Sequence, residues 1–155
     1  MATKKIKGSE QLKNDLKTQN FQNLYIFYGE EDYLKNYYLH ALKTALVQED
    51  FAEFNLIEFD GKNLTPEALT EAVEGYPAFA ERKLVIVRDF VVYKPPAAFQ
   101  TILMDLLQDL PDYICLVFYY DTLPFKADKR TKMHSLLGKT ACFAEFSHLE
   151  ERELM

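Results

Sequence analysis

Short β-rich apolar runs and stretches with an apolar period near 3.6 residues alternate along the whole chain, the signature of strands interleaved with helices. The runs are Leu24 to Tyr28 (LYIFY), Asn55 to Phe59 (NLIEF), Leu84 to Arg88 (LVIVR), Tyr113 to Tyr119 and Cys142 to Phe146. Ser9 can cap a first helix reaching about Lys17, with Leu12 and Leu16 four apart. A longer helix is expected from about Glu31 to Val47, where Leu34, Tyr38, Leu42 and Ala45 share a face. Asp60-Gly61 is a turn signal, and Thr65, Pro66 and Glu67 open a helix that Gly75 stops after Glu74. Tyr76 to Lys83 is irregular or a single turn. Further helices are expected from about Pro96 to Leu107 and from about Ala127 to Leu137, ending near Gly138. Near-continuous apolar strands separated by helices call for a parallel sheet covered on both faces, and right-handed crossovers then give a three-layer α/β sandwich with five strands.

A chain of 155 residues, 48% hydrophobic and 14% aromatic, has enough apolar surface for one core and one domain. A formal net charge of -6 disfavours nonspecific binding of the whole domain to nucleic acid or an anionic membrane, so any DNA contact is expected to be local and weak. The start, MATKKIKGSEQL, carries no apolar signal-peptide core, and no later run approaches the roughly 18 apolar residues of a membrane helix. A soluble, cytoplasmic protein with no membrane partner is expected. Cys115 and Cys142 lie inside apolar runs with no metal-type spacing and are expected as buried thiols in a reducing compartment. Asn63-Leu64-Thr65 matches a glycosylation sequon but is expected to be a loop and helix cap. His40, His134 and His148 lie far apart, without a paired nucleophile or ligand spacing, and no metal or cofactor is expected.

Residues 24–34, LYIFYGEEDYL, have the strand, glycine turn and helix layout of a phosphate loop. A working loop needs several glycines, a Lys and a Ser or Thr for magnesium. Only Gly29 is present. Glu30, Glu31 and Asp32 follow it, residues that suit the positive end of a helix dipole but repel a triphosphate there. The layout reads as a nucleotide-binding scaffold that has given up nucleotide, against the plainer reading of any strand followed by a capped helix.

YIFYGEEDYL, NLIEFDG, YPAFAERKLVIVRD and YICLVFYYD, in this order and spacing, resemble the N-terminal domain of the DNA polymerase III delta subunit of the bacterial clamp loader. The resemblance covers most of the chain. It implies a RecA-like AAA+ fold of P-loop NTPase type without a functional P-loop, in a subunit that does not itself hydrolyse ATP although the intact protein belongs to the polymerase III holoenzyme. It also implies partners: the sliding clamp (beta subunit), which this subunit binds and helps open, and the other loader subunits, joined through a collar. Residues 1–155 would then be one AAA+-like domain of a longer protein whose lid and collar lie beyond Met155.

The family's clamp contact is a pair of adjacent hydrophobic residues just before the basic residues leading into the third strand. Here the resemblance puts the contact in Tyr76, Pro77, Ala78 and Phe79, with the pair on Ala78 and Phe79. Ala78 departs from the large residue expected, and Tyr76, three before Phe79, could supply area if the segment is helical. The alternative is a Phe79 tucked under its own domain. Asp89 and Asp121 end two strands, where an enzyme would hold magnesium; with no phosphate loop, Asp89 is expected to be a turn or cap residue. Lys126, Lys129, Arg130, Lys132 and Lys139 form a local basic cluster, either facing DNA or forming the solvated side of a helix whose Met133, Leu136 and Leu137 point inward; the solvated face is the favoured reading. A clamp-binding interaction domain is therefore expected, with a divergent nucleotide-binding ATPase and a nucleic-acid module as rivals.

Overall fold

The computed structural model describes residues 8–147; His148, the first seven residues and the Leu154-Met155 end lie outside the described residues. The elements run α1 (Gly8–Thr18), β1 (Leu24–Tyr28), α2 (Asp32–Leu46), α3 (Ala52–Asn55), β2 (Leu56–Asp60), α4 (Pro66–Glu74), β3 (Lys83–Arg88), α5 (Gln100–Gln108), β4 (Ile114–Tyr119), α6 (Lys132–Thr140) and β5 (Cys142–Glu145). Single 3-10 turns, Glu49–Phe51 and Ala97–Phe99, lead into α3 and α5.

The strands form one five-stranded sheet in the order β2-β3-β4-β1-β5, and every pairing is parallel. Side chains alternate across it, as the two-residue period of a strand requires. Leu24 and Ile26 of β1, Val85 and Val87 of β3, and Leu116 and Phe118 of β4 join the core that holds Leu69 and Val73 of α4, Leu103 and Leu107 of α5, and Met133 and Leu137 of α6. Tyr25 and Phe27, Leu84 and Ile86, and Cys115 and Val117 join the core on the opposite face with Leu12 of α1 and Leu34, Leu39, Leu42 and Leu46 of α2. This is the three-layer sandwich expected from the alternation of elements. No helix among the described residues is long and apolar enough to cross a membrane.

Thr65 caps α4 as expected, its hydroxyl accepting from Ala68 N at 3.1 Å, so the sequon is used as a loop and cap. Four local expectations are corrected. Ser9 does not cap α1 but lies buried inside it. The short helical turns before β2 were not expected at all. The helix expected from Ala127 begins instead at Lys132, because Asp128 organises a turn: its carboxylate accepts from Arg130 N and its carbonyl from Thr131 N and Oγ1, after which Thr131 caps α6. That helix continues past Gly138 to Thr140. Cys142 is half-buried rather than buried; both thiols are free, and burial pushes each up to about 12.

Beyond the strand ends, Asp89 fastens the sheet's outgoing loops together. It has a φ of 56°. Its carboxylate accepts from the backbone N–H of Asp121 (2.8 Å), Thr122 (3.1 Å) and Leu123 (3.0 Å) and from the Thr122 hydroxyl (2.9 Å), so the acid is a staple between the chain after β3 and the chain after β4. Partial burial opposes its ionisation, but those donors outweigh it and hold the carboxyl below the usual carboxylate range. A depressed folded-state value means stability that is present above the unfolded pKa of about 4 and lost as pH falls through the folded value. Asp89→Asn should therefore melt earlier than the parent at pH 7, with the gap closing as pH falls below the ordinary carboxylate range; thermal melts of both proteins from neutral to acid pH check this.

Candidate functional site

In this strand order the chain leaves β1 in one direction and returns beside it by β4, so the crevice past the carboxyl ends of β1 and β4 is where a doubly wound sheet normally holds a ligand. Gly29 opens that crevice with a φ of 120°, and a Cβ there would come within 2.1 Å of the Phe146 carbonyl oxygen. That same oxygen accepts from Glu31 N at 3.0 Å, so the chain after β5 occupies a donor at the start of α2.

The side chain of Lys35, in the first turn of α2, is 2% exposed. Its Nζ donates to the Gly29 carbonyl at 2.9 Å and to the Tyr120 carbonyl at 2.7 Å, and lies 3.3 Å from the Asp32 carboxylate. The ammonium spans the crevice and is consumed by it. This corrects the expectation that the loop simply lacks its lysine. Counting from Gly29, the phosphate-loop pattern G-x-x-x-x-G-K-[ST] puts Lys35 in the lysine register, with Leu34 for the second glycine and Asn36 for the hydroxyl. The lysine is present but faces inward. Glu30, Glu31 and Asp32 stand in the loop as expected, Asp32 exposed and Glu31 buried.

The opposite end of the sheet carries a different surface. Residues 76–82 are irregular and lead into the amino end of β3, while Phe51 and Phe54 precede the amino end of the neighbouring β2. Phe79 is 78% exposed, which excludes the reading that tucks it under its own domain. Its ring stacks on Phe51 (centroids 5.3 Å apart, planes at 28°) and meets Phe54 at 6.4 Å and 67°. Phe79 holds a φ of 58°, the left-handed region that a bulky side chain normally avoids. The neighbouring residue shows what holds it there. Asn55, 1% exposed, donates Nδ2–H to the Ala78 carbonyl at 2.6 Å and accepts from Ala78 N at 2.7 Å through Oδ1, so one amide grips both polar groups of a single residue. Tyr76 is 84% exposed and packs on Tyr113 instead, because the segment is not helical and Tyr76 does not line up with Phe79. Pro77 and Ala78 are half-buried. Lys83 turns inward, donating to the Gly75 carbonyl, and burial lowers its pKa.

Lys126, Lys129 and Arg130 lie on the loop before α6, and Lys132 opens the helix, so the cluster is not the solvated face of one helix. With Lys94, the first three rim an open cleft of about 670 Å³ that also includes Tyr93, Tyr120 and Leu123. Lys139 is apart from them in the last turn of α6. His134 meets the Tyr93 hydroxyl at 2.8 Å, and among the described residues no group of His, Cys, Asp and Glu is arranged to hold a metal.

The family model described as DNA polymerase III, delta subunit, matches residues 25–147. The chain belongs to this family. The DNA polymerase III subunit delta of Bacillus subtilis is 28% identical over 89% of the chain, and the match spans 41% of that relative. Among solved structures, the Bacillus subtilis DNA clamp loader delta protein aligns with a TM-score of 0.78 and 24% identity over 94% of this chain and 44% of that one. A DNA polymerase III gamma subunit-related protein from Thermotoga maritima aligns with a TM-score of 0.59 and 17% identity over 93% of this chain and 48% of that one. The chain thus spans less than half the length of the relatives it matches.

Within this delta-family domain, sequence reading missed two residues. Lys35 carried a signal, since it lies one turn from Leu39 on the apolar seam of α2 and six residues after Gly29. Asn55 carried none, because its partner is 23 residues away. Lys35→Ala should leave two carbonyls without their donor and cost about 3 kcal/mol, or a melting temperature lower by about 10 °C. Neither parent nor variant should bind Mg-ATP with a Kd below about 1 mM by calorimetry. Saturable binding by the parent with unchanged stability of the variant would make Lys35 a phosphate ligand instead.

Proposed function

We propose that this domain is the clamp-contacting part of a clamp-loader delta subunit. It binds the ring-shaped sliding clamp through Phe79 and helps open it, without turning over nucleotide. One observation carries the reading: a large aromatic residue, Phe79, largely exposed in a left-handed backbone conformation, next to a residue that the buried Asn55 grips. An exposed ring would relax if nothing selected its position, and an aromatic anchor presented on a rigid base is the usual form of a binding hot spot. Membership in the delta family of the clamp loader supports the sliding clamp as the partner of that anchor. The mechanism is differential binding, in which the anchor holds an interface conformation of the clamp that a closed ring cannot adopt.

The crevice supports the negative half of the proposal: a cleft of about 260 Å³ remains beside Gly29 and Tyr120, but the Lys35 ammonium and the Glu31 N–H that a nucleotide would need are already engaged by the chain's own carbonyls. Contacts with the other loader subunits belong to the longer protein, and the basic loop at Lys126, Lys129 and Arg130 contributes at most a weak, local contact with DNA.

Titrating the protein with its cognate sliding clamp tests this reading. Phe79→Ala should weaken binding about thirtyfold or more. An exposed ring contributes little to the core, so melting should change by less than about 1 kcal/mol. A variant that melts early yet binds the clamp normally would make Phe79 a core residue and reject the assignment.

A further inference from the structure

The geometry points to Phe54 as a second anchor, so that the domain presents a pair of rings, Phe54 and Phe79, to one apolar pocket with a basic rim on the clamp. This rests on the clamp reading above. Phe54 is 51% exposed in the turn before β2, a segment separate in sequence from the Phe79 loop. The two rings meet edge to face, and Phe51 closes the group from behind as the half-buried member stacked on Phe79. Ala78 cannot be the second anchor, because it is small and half-buried and its backbone is held by Asn55. Asn55 follows Phe54 directly in the chain, so the same residue that fixes the Phe79 loop also fixes the spacing between the two exposed rings.

Charge defines the partner surface. The exposed ionic residues beside these rings in the chain, Glu49, Asp50, Glu53 and Glu81, are all acidic. Arg82 is half-buried and reaches the Ile114 carbonyl, while Lys83 is buried. Glu49 and Asp50 share a cleft with His40 and Lys43, which leaves Glu53 and Glu81, each next to a ring or two residues from it in the chain, as the charges that favour an apolar pocket edged by Lys or Arg; such complementarity acts mainly on the association rate.

The test uses the full-length protein and its cognate clamp, with affinity and association rate measured for Phe54→Ala, Phe79→Ala, the double variant and Glu53→Lys, and with thermal melts of each. Phe54→Ala should weaken binding about tenfold, and the double variant should lose less than the product of the single losses because the rings support each other. Glu53→Lys should slow association at low salt while leaving melting unchanged. If Phe79→Ala abolishes binding and Phe54→Ala binds like the parent, the second anchor is refuted and the clamp reading survives. If neither substitution changes binding, both fall. Should Phe54→Ala melt early, Phe54→Leu keeps the apolar volume and still removes the ring; normal clamp affinity in that variant also refutes the paired-ring anchor.

Discussion

The ammonium of Lys35 sits where the loops leaving β1 and β4 would otherwise part, and its two carbonyl partners belong one to each loop. Burying a lysine costs several kcal/mol of solvation, which only short, charge-assisted hydrogen bonds offset. Here the acceptors are at 2.9 and 2.7 Å, and the exposed carboxylate of Asp32 adds a third, weaker contribution. The result is a crevice tied across by its own lysine, with a cleft of about 260 Å³ left beside it. Gly29 allows it, since its positive φ and its close approach to the Phe146 carbonyl leave no room for a side chain. Asp89 then secures the far side by gathering the backbone donors that follow β4.

Closing one end of the sheet makes it a rigid base for the other. β3 runs from the Phe79 loop at its amino end to Asp89 just beyond its carboxyl end, its central residues fully buried between β2 and β4. Strain at Phe79 is tolerated because Asn55 over-determines the neighbouring backbone, and in the proposed clamp contact a ring ordered in advance would lose less entropy on binding. The crevice lysine is engaged by the chain's own carbonyls, and the opposite edge of the sheet carries exposed rings, the pairing on which the proposed protein contact rests.

The sequence made the architecture legible where physics is local. LYIFY became β1 over its full length, and Thr65, Pro66 and Gly75 bounded α4 as capping rules demand. The basic helix was misjudged because Asp128 and Thr131 compete with helical hydrogen bonds by offering the backbone a turn and then a cap. The turns at residues 49–55 carry no apolar period long enough to read, yet they supply Phe51, Phe54 and Asn55 to the candidate surface. Phe79 was legible as a residue but its setting was not: its exposure depends on a hydrogen-bonded grip across 23 residues, which no local pattern encodes. Lys35 was legible by position, one turn from Leu39 and six residues after Gly29, but not by orientation. A lysine in a phosphate-loop register reads as a ligand or as surface, and only the fold shows it turned inward.

Amide hydrogen exchange of the protein alone and mixed with its sliding clamp distinguishes the two ends of the sheet as the contact surface. New protection is expected in residues 76–82 and 49–55, with exchange around Gly29, Lys35 and Tyr120 unchanged. Protection confined to the Gly29 crevice or to the basic loop before α6, with the Phe79 segment exchanging as in the free protein, would contradict the Phe79 contact.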